Sequence, residues 1–504
     1  MNSKIKKFTL KNLWFWPLII GFVLRLYKIT SSSIWHDEGY TMWLLKYDIL
    51  GILERTARDV HPPGYYLMAK PWTIIFGSSE FSIRFLSLIF SLGIVYFVFK
   101  IIKEVWSEKA AFWASLFTAL SPFMVRFGQE ARMYGVVAFF TTLATYYLVK
   151  IIKEKNYKLL FLYVPSMLAA MYTQYYAFFV IISHWVIFSF FTKGFWNFRW
   201  LSAIKTKEGL FNYKWWLANV ALLVGYLPWF SVAYSQVTRV SDSYWIKPEW
   251  ITFRTIPNNV LQFFLYSHLD KLYDQNKIIG VIVWTLLVLI AIFGGVYIFK
   301  EKSKRKVAAS LYLFGFLPMV MVYIASKLAT PIYQDRYFPF SAVAIFAIWG
   351  VAISIIKNKK VKYGFAFFAV GILLYGNYYM HKDVNHQMKA LTKTVKTQSQ
   401  EGDLLVSGEL YTHLDGSYYL GYGDLYFMSE PVDGYGETSL YYDQQEKYIL
   451  NESQVSQHER VWLIGKSGKG YWDNKIWDDY DSAIYFDSAG LQATLYTKAD
   501  SQLP

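Results

Sequence analysis

The chain has no cysteine, which excludes disulfides and any thiolate metal site or nucleophile. It also lacks the glycine-rich phosphate loop of nucleotide-driven motors and the paired-histidine helix motif of zinc proteases. The serine elbow of esterases is missing too. Charge is scarce, with Asp, Glu, Lys and Arg making up 17% of 504 residues, against about a quarter in ordinary soluble domains. In its place, 55% of the residues are hydrophobic and 20% aromatic. A soluble domain cannot hide that much apolar surface, because burial saturates with size. The remaining charges cluster between long apolar runs, the pattern of a chain dissolved in lipid. The formal net charge of +15 therefore reads as a topology signal rather than a nucleic-acid footprint, and no nucleic-acid partner is expected.

A spanning helix needs roughly 20 apolar residues. Candidate runs lie at 13–29, 81–102, 110–125, 132–152, 158–173, 175–192, 215–235, 278–299, 307–326, 337–356 and 361–380, about eleven spans by this length rule. The first follows Lys4, Lys6, Lys7 and Lys11 without a convincing cleavage site and reads as an uncleaved first helix. With the N-terminus inside, every inner loop is basic: Lys100 to Lys109, Lys150 to Lys158, Lys193 to Lys214, Lys300 to Lys306 and Lys357 to Lys362. The outer side then receives 30–80, 126–131, a turn near 174, 236–277, 327–336 and the tail. The stretch 61–77 is apolar but carries Pro62, Pro63 and Pro71. It is expected to lie along the outer interface, and 38–58 to form a second such amphipathic helix.

After 380 the composition turns acidic and rich in Asp, Tyr, Gly and Ser. A helix is predicted over 386–398 and strands at 404–406, 461–464 and 493–496. The expected fold is thus an all-α polytopic membrane domain (1–380) of about eleven spans with outer juxtamembrane helices. A small extracytoplasmic α/β domain (381–504) follows it.

Ionisable groups at a membrane rim are costly and tend to be functional. The first outer loop holds His36, Asp37, Glu38, Asp59 and His61. Trp35, Tyr40 and Trp43 would pin the first pair at the interface, and Pro62-Pro63 would fix the chain after the second group. Adjacent carboxylates repel, so one should hold its proton more tightly, which suits a general base acting on a hydroxyl. The same carboxylates and histidines equally suit a divalent cation, and the residues alone do not choose. Arg84, Arg132 and Arg336 all map to the outer side, with Glu130 beside Arg132 and Tyr333 near Arg336. Their planar forks match a phosphate. His184 falls inside a span and reads as a packed histidine, and His268 as an outer-loop residue that could be a metal ligand.

Four islands in order carry a family resemblance: Trp35 to Tyr40, Asp59 to Pro63 (Asp-x-His-Pro-Pro), Gln129 to Tyr134 (Gln-Glu-Ala-Arg-Met-Tyr), and Arg336-Tyr337-Phe338. They cover the first third well and the rest by hydropathy. With them the chain resembles the GT-C membrane glycosyltransferases, in the style of bacterial protein O-mannosyltransferases and the aminoarabinose transferase of lipid A. The resemblance implies a cell-membrane enzyme that takes a sugar from a polyprenyl-phosphate carrier. The sugar passes, usually with inversion, to an extracytoplasmic acceptor such as a wall polymer, lipid or protein. It implies Asp37 as catalytic base with Glu38 and Asp59 in support. Arg84, Arg132 and Arg336 would hold the lipid phosphate, with His61, Glu130 and Tyr333 on the substrate. Metal dependence differs among such proteins, so a divalent cation stays open. The rival reading is a transporter or flippase of lipid-linked sugar, which calls for polar residues near the bilayer centre and often for repeats. Few such residues and no repeat are present.

Overall fold

The structure is a computed structural model that describes residues 12–191, 212–243, 246–266, 298–382, 387–467, 477–488 and 490–499. The span expected at 278–299 lies almost entirely, and His268 wholly, outside the described residues. The contacts divide the chain into two compact units. One comprises Met1–Tyr27 and Arg84–Asp383, the other Lys28–Ile83 and Val384–Pro504. The sequence boundary at 380/381 assigned 28–83 to the membrane domain, whereas the structure groups that segment with the tail.

The first unit is all helix. Four of its helices are long and apolar enough to cross a bilayer: Glu80–Val105, Tyr134–Glu154, Tyr213–Val240 and Lys302–Leu328. Of the other expected spans, three appear as shorter apolar helices, Phe15–Leu26, Ala177–Phe191 and Pro339–Ile355, while 158–173 is Leu160–Thr173, 361–380 is the 24-residue Lys359–Lys382, and one is broken. The run at 110–125 is Glu108–Leu120 followed by Pro122–Gly128, bent by 62°. Pro122 has no N–H for the Thr118 carbonyl, so the end of the first segment leaves acceptors without helical donors. In hydrocarbon such orphans are costly, and buried side chains take them up. Arg25 donates to Ala119 O at 2.9 Å and Thr118 O at 3.4 Å, and Asn377 donates to Leu120 O at 2.6 Å. Arg25 Nε also reaches Ser91 Oγ at 2.7 Å. A fully buried arginine inside the first apolar run thus serves the break in another helix, an assignment that hydropathy alone does not make. His184 is a packed histidine, as expected, bonded to Thr145 Oγ1 at 2.9 Å and Tyr163 OH at 3.2 Å.

The second unit is built on a six-stranded sheet: β1 Leu404–Ser407, β2 Leu425–Met428, β3 Ile449–Leu450, β4 Arg460–Lys466, β5 Tyr480–Ser488 and β6 Leu491–Lys498. The spatial order is β3-β2-β1-β4-β6-β5. The first four strands run parallel and the β4-β6-β5 pairs antiparallel. Alternate residues face opposite sides. Leu391 and Val395 of helix Gln387–Gln398 pack with Leu425, Trp462, Ile464 and Leu495 in one cluster, while Leu404, Val406, Met428 and Val461 form another. The helix at 386–398 and three strands are as expected. β2, β3, β5 and the helix Leu410–Leu420 were not, because β2 and β3 are only four and two residues long and tyrosine, glycine, serine and aspartate in and around these stretches mimic turns.

The early segment joins this unit through three helices, His36–Leu44, Ile49–Arg58 and Gly64–Phe76. The single amphipathic helix expected at 38–58 is therefore two. Asp48 stops the continuity by capping the second, accepting from Gly51 N at 2.7 Å. Tyr40, Trp43 and Tyr47 recur at helical spacing and face the tail. Tyr40 OH pairs with Ser439 Oγ at 3.1 Å, and Tyr47 OH donates to Leu440 O at 2.8 Å. Trp43 is 1% exposed, ringed by His413, Tyr422, Tyr441 and Tyr448 with centroids 4.9–5.5 Å away. This aromatic stripe is why 28–83 belongs with the tail. Gly64–Phe76, of 13 residues and with Pro71 inside, covers about 20 Å, too short to span.

Candidate functional site

Asp37 and Glu38 occupy the first turn of helix His36–Leu44 and are 7% and 1% exposed. A carboxylate there is favoured by the unpaired N–H groups of the helix start. His36 Nε2 lies 3.5 Å from Asp37 Oδ1 and stays partly exposed, its ring 4.6 Å from Tyr411. Asp59 ends the next helix, 4% exposed, with His61 Nδ1 at 3.3 Å from its Oδ2. The Pro62-Pro63 turn then starts Gly64–Phe76. Lys70 of that helix caps the Leu45 carbonyl at 2.7 Å, tying it back to the end of the Asp37 helix.

A third carboxylate enters from the tail. Helix Leu410–Leu420 crosses His36–Leu44 so closely that a Cβ on Gly39 would meet Asp415 Oδ1 and the Leu414 carbonyl carbon, each at 2.9 Å. Only glycine permits that approach. Asp415 Oδ1 is sequestered from solvent and has no hydrogen-bond partner among the described residues. Burial, with the Glu38, Asp37 and Glu437 charges, pushes the Asp415 carboxyl well above the ordinary carboxylate range. Asp415 thus holds its proton more tightly than an ordinary carboxyl beside Asp37 and Glu38. Sequence reasoning missed this residue, which lies in a segment that reads as a turn, far from Asp37 along the chain.

The platform beneath is equally dry. His413 accepts from or donates to Tyr441 OH at 2.8 Å and bonds the Leu425 carbonyl through Nε2 at 2.8 Å. A carbonyl only accepts, so Nε2 carries the hydrogen, and Nδ1 of neutral His413 accepts a hydrogen bond from the Tyr441 hydroxyl. Burial lowers the His413 pKa to about 4, the Leu425 bond opposing it. Glu80 anchors the far end of the early segment, pairing with Lys389 at 2.6 Å and with the Tyr419 hydroxyl.

In the helical unit, the turn between Pro122–Gly128 and Tyr134–Glu154 holds Glu130 and Arg132, 2% and 3% exposed. Arg126 Nε lies 3.5 Å from Glu130 Oε2, and Arg132 N donates to Glu130 O at 2.8 Å. Gln129 fixes the turn by donating to Arg25 O and Tyr27 O at 2.9 and 2.8 Å, capping helix Phe15–Leu26. Arg336 sits in the turn before Pro339–Ile355, its guanidinium 5.9 Å from the Tyr134 ring. The structure thus brings the Arg336 loop against the Arg132 turn. Tyr333 is buried beside them, donating to Asn259 Oδ1 at 3.0 Å, while Asn259 and Gln262 hold Asp335. Arg84 is buried in Glu80–Val105, one turn from Ser87. The Ser87 carbonyl is 3.8 Å from where a Gly135 Cβ would lie. Among the described residues, no three His, Asp or Glu side chains gather to hold a metal ion.

The model of the dolichyl-phosphate-mannose-protein mannosyltransferase family matches residues 60–211. No curated protein matches the chain by sequence. Among solved structures, ArnT from Cupriavidus metallidurans in the apo state superposes with a TM-score of 0.58 at 11% identity, covering 98% of each chain. The same protein bound to undecaprenyl phosphate gives 0.59 at 10%, covering 97% of this chain and 99% of that one. The Archaeoglobus fulgidus oligosaccharyltransferase, in complex with Zn and sulfate, gives 0.54 at 13%, covering 96% of this chain and 73% of that one. At such identities the likeness is one of fold, and it runs the length of the chain. Residues 60–211 thus match that mannosyltransferase family, and the chain as a whole shares the fold of ArnT.

Proposed function

We propose that this protein transfers a sugar from a polyprenyl-phosphate-linked donor to an acceptor outside the cytoplasm, by an inverting displacement. The observation that carries the reading is the chain-long fold likeness to ArnT solved with undecaprenyl phosphate bound. In the reaction, Asp37 takes the proton of an acceptor hydroxyl. The freed oxygen bonds to the anomeric carbon as the bond from that carbon to the phosphate oxygen breaks. The electron pair leaves with the lipid phosphate, and Arg84, Arg132 and Arg336 stabilise its charge. Glu38 and Asp59 support the base, with His61 orienting Asp59 and Glu130 and Tyr333 shaping the donor site. Asp415, whose proton burial holds more tightly, limits the charge that gathers around Asp37. The basic loops support an orientation in which the acids, the arginines and the tail lie on the outer side of the cell membrane. Exposed Ile74, Ile75 and Phe76 at the end of Gly64–Phe76 suit a helix lying in the interface.

Purified protein in vesicles, given synthetic polyprenyl-phosphate sugars and surface-glycan acceptors, should form a new glycosidic bond and release polyprenyl phosphate. Movement of the donor between leaflets with no bond formed would establish the flippase instead.

A further inference from the structure

The helical unit contains an apolar groove unrelated to the acids and arginines above. It has a volume of about 360 Å³ and runs between Glu80–Val105, Tyr134–Glu154, Ala177–Phe191 and Arg305–Leu328, with Pro339–Ile355 at its back. One wall follows Tyr134–Glu154 from Thr142 to Lys153, about 16 Å along a helix. That matches the roughly 15 Å hydrocarbon depth of one leaflet. Thr142, whose hydroxyl is buried without a partner among the described residues, and Thr145 begin this wall, and Leu148, Val149 and Ile152 continue it to Lys153.

The groove ends at charge. Glu104 and Lys153 line its mouth, joined at 2.6 Å. Glu104 also lines a separate recess of about 210 Å³ with Lys100, Lys103, Glu108 and Asn12. Lys103 pairs with Glu108 at 2.8 Å, and Lys150 is shared between Glu104 and Glu154. Lys100 forms no ion pair among the described residues and lies 5.9 Å from the Tyr96 ring. Four lysines thus face three glutamates, leaving one positive charge in excess. Lys304 and Lys306, at the start of the helix that forms another wall, add to it.

We propose that this is a binding site for an anionic phospholipid of the leaflet at the lysine-rich end. One acyl chain fills the groove, and the phosphate lies at its end against Lys304 and Lys306, which bond the Trp106 and Phe190 carbonyls beside the lining residues Val105 and Phe191. Depth, apolar lining and the excess of positive charge at one end fit a lipid with an anionic headgroup. Such basic pockets between helices suit acidic headgroups. The site stands whether or not the protein transfers sugar.

The test is native mass spectrometry of the detergent-purified full chain titrated with phosphatidylglycerol, phosphatidylethanolamine or phosphatidylcholine. Wild type should hold one phosphatidylglycerol in preference to both others. Lys304→Gln with Lys306→Gln should weaken that binding about thirtyfold. Ala347→Phe, which fills the groove, should abolish it. Ser310→Phe, at a partly exposed lining position, serves if Ala347→Phe lowers the thermal midpoint. Equal retention of phosphatidylethanolamine or phosphatidylcholine would overturn the site. Undiminished binding to a folded groove-filling variant would overturn it as well, since charge alone would then be responsible.

Discussion

Gly39→Ala probes the crossing that brings Asp415 to Asp37 and Glu38. The added methyl would sit 2.9 Å from both Asp415 Oδ1 and the Leu414 carbonyl carbon, when ordinary contact begins near 3.4 Å. Backbone cannot swing aside, so the two helices must part by roughly half an ångström. Overpacking of this kind costs about 1–3 kcal/mol, offset by up to about 1 kcal/mol of helix propensity gained over glycine. The net expectation is a loss of about 1–2 kcal/mol. Asp37, two residues away, moves with the helix, and a shift of that size should lower kcat about tenfold while leaving the KM for donor unchanged. Gly364 is the control: it is helical, and a Cβ there meets nothing within 4 Å. Gly364→Ala should be neutral or stabilising. The assay is the thermal midpoint in detergent by tryptophan fluorescence, paired with sugar-transfer kinetics. A Gly39→Ala protein as stable and as active as wild type would refute the close crossing and the placement of Asp415 that depends on it.

Arg25→Met should destabilise the helical unit by about 2–4 kcal/mol, because the Thr118 and Ala119 carbonyls lose their donor in a dry interior. Arg25→Lys should recover part of that in the same melt. His413 is depressed to about 4 from 6.5, so the unfolded chain binds its proton first. Its contribution is present above pH 6.5 and is lost as pH falls toward 4, about 3 kcal/mol in full. Melts between pH 7 and 4 should show a slope that His413→Gln flattens. The raised Asp415 titrates with the opposite sign, so Asp415→Asn should steepen that slope. Arg132→Gln and Arg336→Gln should each raise the KM for lipid-phosphate donor about tenfold, with lysine only partly restoring it.

What the sequence discloses is whatever acts locally or by period. Long apolar runs with basic loops announce a polytopic bundle, and Asp37-Glu38 and Asp59-Val60-His61 stand out as charges where charge is scarce. The strands at 404–406 and 461–464 announce themselves as β-branched or aliphatic runs. Three features stay hidden because they depend on partners distant in the chain. Asp415 becomes unusual only when Gly39 lets another helix within contact, and in isolation it belongs to a polar, tyrosine-rich stretch. Arg25 counts as a blemish in an apolar run until Pro122 breaks the helix whose carbonyls it serves. The grouping of 28–83 with the tail follows from the Tyr40, Trp43 and Tyr47 stripe, whose spacing was legible but whose partner was not.

Asp37→Asn tests the central claim most directly. Purified variant and wild type would be compared for sugar transfer from a synthetic polyprenyl-phosphate donor, with donor binding measured in parallel. The account predicts that transfer falls by about 10²–10⁴ while donor affinity and the thermal midpoint are kept. Transfer at the wild-type rate by the folded variant would contradict it.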